Sequence, residues 1–139
     1  MIRVAMILLL CLAACAPVAG TLTTDDFIED LSSSNNPVWQ ASRTDAEATI
    51  LEAMRAFDPV LNAYLVVIKD SGLIVVEARS TQLEQQNVLV LLAFQDGSTV
   101  LGVFDLKDSA KSNPQSLAVK LEVAVTATMD AKFQRGKLF

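Results

Sequence analysis

Histidine is absent from all 139 residues, and cysteine occurs only at Cys11 and Cys15. Without histidine there is no Ser-His-Asp relay, no Cys-His nucleophile pair and no zinc site of the common histidine-containing kinds. With both cysteines so early, the chain after Cys15 has no thiol. Neither a disulfide nor thiol redox chemistry can serve the body of the protein, whose stability must come from packing.

Positive charge is scarce as well. Eleven Lys and Arg stand against sixteen Asp and Glu, a formal net charge of -5, and the basic residues form no patch. An acidic chain of this kind is a poor partner for nucleic acid. The five glycines make no phosphate-cradling loop, no kinase-type signature appears, and no internal repeat is visible. No cofactor and no metal is expected from these residues.

What the sequence does have is an apolar run near its start. Arg3 and the amino terminus supply a short positive end, followed by Val4-Ala5-Met6-Ile7-Leu8-Leu9-Leu10-Cys11-Leu12 and the small residues Ala13 and Ala14. This is the grammar of an export signal, and the run is shorter than the roughly 20 residues a helix needs to span a bilayer. Its last four residues, Leu12-Ala13-Ala14-Cys15, resemble the lipobox of bacterial lipoproteins. The resemblance covers the leader alone. It implies cleavage between Ala14 and Cys15, acylation of Cys15 and its new amino group, and a membrane-anchored protein of the cell envelope that faces the periplasm. Ala16, rather than aspartate, after the cysteine favours the outer over the inner membrane. The alternatives are an ordinary secretory signal cut after Gly20 and an uncleaved anchor; Pro17 disfavours a cut after Ala16.

The domain plan that follows is a signal over 1–14, a lipid-anchored segment with a short helix and linker over 15–43, and a folded domain over 44–139. About 120 residues beyond the leader suffice for one domain. In the anchored segment, Thr23 or Thr24 can cap a short helix that places Phe27, Ile28 and Leu31 on one face. Asp25, Asp26, Glu29 and Asp30 read as its solvated side rather than as a cation site. Ser32 to Pro37 is a polar linker. Trp39 beside it reads first as a plug on the domain's edge, and alternatively as a stacking platform for carbohydrate or peptidoglycan.

Thr44 to Phe57 is the main helix. Thr44 and Glu47 suggest a capping box, and Ala46, Ile50, Met54 and Phe57 form its apolar stripe. Asp58-Pro59 ends it or begins one short turn. Strands over 64–68 and 73–76 flank a turn at Asp70-Ser71-Gly72, and 78–86 reads as a polar connection. Strands over 88–94 and 99–106 flank Asp96-Gly97, a strong hairpin signal. Counting outward from a two-residue turn opposes Leu92 to Leu101 and Val90 to Val103 on one face. On the other, Leu91 meets Gly102 and Leu89 meets Phe104. From Leu117 to Thr128 apolar and polar residues alternate, which predicts a final strand.

The expected fold is therefore α+β, one main helix on an antiparallel sheet of about five strands, with a β-sandwich-like arrangement and flanking helix as the alternative. Both faces of the central hairpin are apolar, Leu89, Leu91 and Phe104 on one and Val90, Leu92, Leu101 and Val103 on the other. The main helix can cover one of them, which points to a protein partner or self-association through the other. For chemistry, two weak sets remain. Ser109 near Lys107 or Lys111 is a serine-lysine pair, although an exposed lysine stays protonated and is no base. Asp105, Asp108 and Glu77 are candidates for a carboxylate-dependent, glycan-cleaving envelope enzyme. The favoured expectation is a non-catalytic, lipid-anchored binding or assembly module; a purely structural envelope lipoprotein is the third reading.

Overall fold

The computed structural model describes residues 24–33 and 36–136. In order these form α1 (Thr24–Ser33), β1 (Val38–Gln40), α2 (Arg43–Phe57), a 3-10 turn (Pro59–Leu61), β2 (Tyr64–Ser71) and β3 (Leu73–Arg79). Then come α3 (Thr81–Gln85), β4 (Val88–Gln95), β5 (Ser98–Asp105) and α4 (Leu117–Lys132). The strands make one antiparallel sheet in the order β1-β5-β4-β3-β2, an α+β fold. The chain falls into two compact units, Met1–Asp30 and Leu31–Phe139. In the described part of the first, Ile28 of α1 is buried and Phe27 half-buried.

The β4–β5 hairpin has the register its turn dictates. Gln95 pairs with Ser98, Leu92 with Leu101, Val90 with Val103, Leu91 with Gly102 and Leu89 with Phe104. Asp96 and Gly97 have φ of 50 and 79, the left-handed pair that lets a two-residue turn follow the twist of its strands. Between β2 and β3 Gly72 alone is left-handed, at φ 77, and joins the paired Ser71 and Leu73.

Two helices cover one face of this sheet. Ala46, Ile50, Ala53 and Met54 of α2 join Ala118, Leu121, Val125 and Met129 of α4, and both sets meet Val76, Val90, Leu92, Leu101 and Val103. Each large apolar side chain sealed there contributes roughly 1.5–3 kcal/mol. The start of α2 differs from the expected capping box. Ser42, not Thr44, is the N-cap and accepts from the Asp45 amide, while Glu47 pairs with Arg43 one turn earlier at 3.0 Å.

The larger correction is α4. Leu117 to Thr128 is helix, not strand, and the fifth strand is instead the short β1. Ser116 caps α4 through the Val119 amide, and Ala118, Leu121, Val125 and Met129 are spaced at three and four residues along its buried stripe. Glu122, Thr126 and Asp130 recur every fourth residue, so a helix also gathers them on one flank, beside that stripe. An even spacing of four satisfies both periods. The alternation therefore could not separate the two states, and the alanines, the best helix formers, decide it once the face has a core to meet. The 78–86 connection also contains a helix, α3, capped by Ser80 through the Leu83 amide.

On the second sheet face Val75, Leu91, Ala93 and Val100 are buried in the single chain, while Leu89 and Phe104 are half-buried. Gly102 leaves room for a close neighbour: a Cβ there would strike Leu31 Cδ2 and come within 2.8 Å of the Phe104 ring.

Candidate functional site

Cys15, the expected lipid attachment residue, lies outside the described residues, as do the side chains of Asp25 and Asp26. Glu29 and Asp30 are exposed on α1, and no group of three or more acidic, His or Cys side chains among the described residues is placed to hold a metal.

Trp39 is a plug. It is fully buried at the end of the sheet, and its indole Nε1 donates to Asp130 Oδ1 at 2.9 Å. Arg135 donates to both oxygens of the same carboxylate, at 2.6 and 3.1 Å, and its guanidinium stacks 5.3 Å from the Trp39 ring centre. The Arg135 hydrogen bonds first, and the indole second, hold Asp130 down at about 2 and raise Arg135 in return. This cluster is structural, and it removes the one tryptophan from any role as a binding platform.

The serine-lysine set dissolves in a similar way. Lys111 Nζ donates to the Val103 carbonyl at 2.9 Å and to Glu122 Oε1 at 2.8 Å, which ties the 106–116 loop to β5 and α4. Ser109 is exposed and hydrogen-bonds to neither lysine. Asp105 Oδ1 accepts the amides of Lys107 and Asp108, and Asp108 Oδ2 accepts the amide and hydroxyl of Ser112. The Ser112 hydroxyl in particular lowers Asp108 below the ordinary carboxylate range. Both aspartates thus organise their own turn, and Glu77 sits apart on β3, paired with Arg79 at 3.0 Å.

A concave feature lies elsewhere, where the ends of β2 and β3 meet the 80–88 segment. It is a cavity of about 610 Å³, within the roughly 300–1,000 Å³ of small-molecule sites. Tyr64 stands at its mouth, 57% exposed, directly opposite Arg79 in the β2–β3 pairing. Leu89 and Leu106 give it apolar surface, and Ser80, Thr81, Glu84 and Asn87 supply polar groups. Glu77 holds Arg79 through Nε alone, so the two terminal guanidinium nitrogens have no partner among the described residues. Asn87 adopts a left-handed backbone at φ 59, and Leu106 N–H donates to its carbonyl at 2.8 Å. Sequence reasoning missed this site. Tyr64 was legible only as a strand residue, and the sole hint was an aromatic at the end of a strand beside a polar connection.

No protein-family model, no curated protein and no solved structure matches this chain. Its class accordingly rests on its own architecture: an α+β domain with an antiparallel five-stranded sheet, two long helices on one face and a polar cavity at one end.

Proposed function

We propose that the protein is a lipid-anchored binding or assembly module of the bacterial cell envelope, tethered through Cys15 and without catalytic chemistry of its own. The carrying observation is Leu12-Ala13-Ala14-Cys15 at the end of an export-type apolar run. A membrane interaction would then come from the lipid; no described helix is long and apolar enough to cross a bilayer. The cavity beside Tyr64 supports a binding role, because it sets the polar groups of Arg79, Ser80, Glu84 and Asn87 beside the apolar Leu89 and Leu106. A glycan-cleaving enzyme would need two carboxyl groups across one bond, about 5–9.5 Å apart. Asp105 and Asp108 instead cap the backbone of their own turn, and Glu77 is engaged by Arg79. A protein partner, or a second copy, at the half-buried Leu89 and Phe104 completes this reading.

The test is Cys15→Ser in cells fed a fatty-acid analogue. Labelling and membrane fractionation of the protein should both disappear. If both persist, the anchor is not at Cys15 and the proposal fails.

A further inference from the structure

The cavity at the β2–β3 end has a composition that selects among ligands. One cation, Arg79, and two carboxylates, Glu77 and Glu84, line it, within a chain whose formal net charge is -5. An anionic ligand would meet net repulsion there. A purely apolar ligand would strip water from the terminal nitrogens of Arg79, the Glu84 carboxylate and the Asn87 side-chain oxygen without replacing those hydrogen bonds. A ligand that suits the site must be uncharged, must present one apolar face, and must carry groups that both donate and accept hydrogen bonds around its edge.

Sugars have that chemistry. The C–H face of a pyranose ring packs on an aromatic face, and its hydroxyls accept from a guanidinium and donate to carboxylate or amide oxygens. Tyr64 provides the aromatic face in the open, since the residue is more than half exposed. Arg79 is opposite it by strand register, with Glu77 fixing the guanidinium and leaving its outer edge free. Glu84 and Asn87 also line the cavity, carried by α3 and the tight turn after it. We infer that this cavity binds a neutral glycan, with a sugar ring on Tyr64 and its hydroxyls on Arg79, Glu84 and Asn87. The inference rests on the reading of the chain as a binding module, and deepens it by naming the ligand class.

Tyr64 is the chain's only tyrosine, so ring-labelled tyrosine in the full-length protein gives a single reporter. The protein, held in a sugar-free phosphocholine detergent, is titrated with chitotetraose, cellotetraose and maltotetraose. Concentrations run to about 20 mM, beyond the millimolar dissociation constants of weak open sites. The Tyr64 ring signals should shift saturably with at least one of the three. Saturation transfer to the sugar protons should show Tyr64→Ala and Arg79→Ala binding at least about tenfold more weakly, a loss of about 1.4 kcal/mol. Tyr64→Phe, which keeps the ring, should retain most of the affinity, and Val123→Ala on the exposed side of α4 should be neutral. Flat titrations with all three glycans overturn the inference, as does undiminished binding by a Tyr64→Ala protein with a native melting curve. Tighter binding of an anionic tetragalacturonate would overturn the neutral class. Cys15 labelling is read separately, so a failed glycan titration with intact labelling removes this inference and leaves the anchor standing.

Discussion

The two edges of the sheet are built on opposite plans. At the β1 edge the chain closes its own sheet. Gln40 N–H donates to the Gln134 carbonyl and Gly136 N–H to the Val38 carbonyl, each at 2.8 Å, and Arg135 bridges back to Trp39. The Trp39 indole, the Asp130 carboxylate and the Arg135 guanidinium lock that closure. At the β2 edge no described strand covers the outer side. Tyr64 and Val67 are exposed, Lys69 and Asp70 stand in solvent, and a register shift between Val67 and Lys69 bends the strand. An uncovered edge is a template for unwanted pairing, and a bulge with charges is the usual defence. The closed edge therefore carries stability, and the open edge is free to carry recognition.

The comparison predicts a graded set of effects. Trp39→Ala should be the most damaging, because a fully buried aromatic is lost together with a hydrogen bond and a stacked cation; a loss of about 3–5 kcal/mol is expected in urea unfolding. A cost under about 1 kcal/mol would mean that the closed edge is not a stability element. Gly97→Val comes next. A β-branched residue at φ 79 is strained by about 1–3 kcal/mol, and the Gly97 carbonyl also accepts the Ala41 amide at 3.0 Å, so the turn supports the closed edge directly. An unchanged melting temperature would place the turn elsewhere.

Asp130→Asn should be milder and dependent on pH. The folded carboxyl is held at about 2, below the roughly 3.9 of an unfolded aspartate, so its contribution is present above about pH 4 and is lost as pH falls towards 2. Melting curves of wild type and Asp130→Asn should differ at pH 6 and converge as the acid limit is approached. A gap that widens in acid would reverse the assignment. Smallest of all is Tyr64→Ala, whose stability should stay within about 0.5 kcal/mol of wild type, because the ring is mostly in water. A larger loss would show that the open edge is structural after all.

Part of this molecule was legible in one dimension. The central hairpin was readable with its register, because a two-residue Asp-Gly turn sets every pair that follows by counting. The main helix was legible from Ala46, Ile50 and Met54, though its cap was displaced to Ser42, since Ser42 and Thr44 offer the same chemistry two residues apart. Trp39 was readable as a plug. The strand it sits on was not, because three residues after a polar loop show no period. Of the candidate site, neither the cavity nor the pairing of Tyr64 with Arg79 could be read, since it depends on how β2 aligns with β3 fifteen residues later.

What the sequence determined by itself is whatever depends on near neighbours or on composition. The absence of histidine and of late cysteines bars whole chemistries, the left-handed glycines set the turns, and the apolar stripe of α2 demands a core. Only the tertiary structure decided the rest. It made Leu117–Lys132 a helix because that flank had α2 and the sheet to pack on, although its spacing suited either state. It also buried the single tryptophan, through a hydrogen bond between residues 91 apart in the chain, and left the single tyrosine in water. Whether an aromatic becomes core or contact surface is set by which distant segments arrive against it, and near-neighbour preferences hold no record of that.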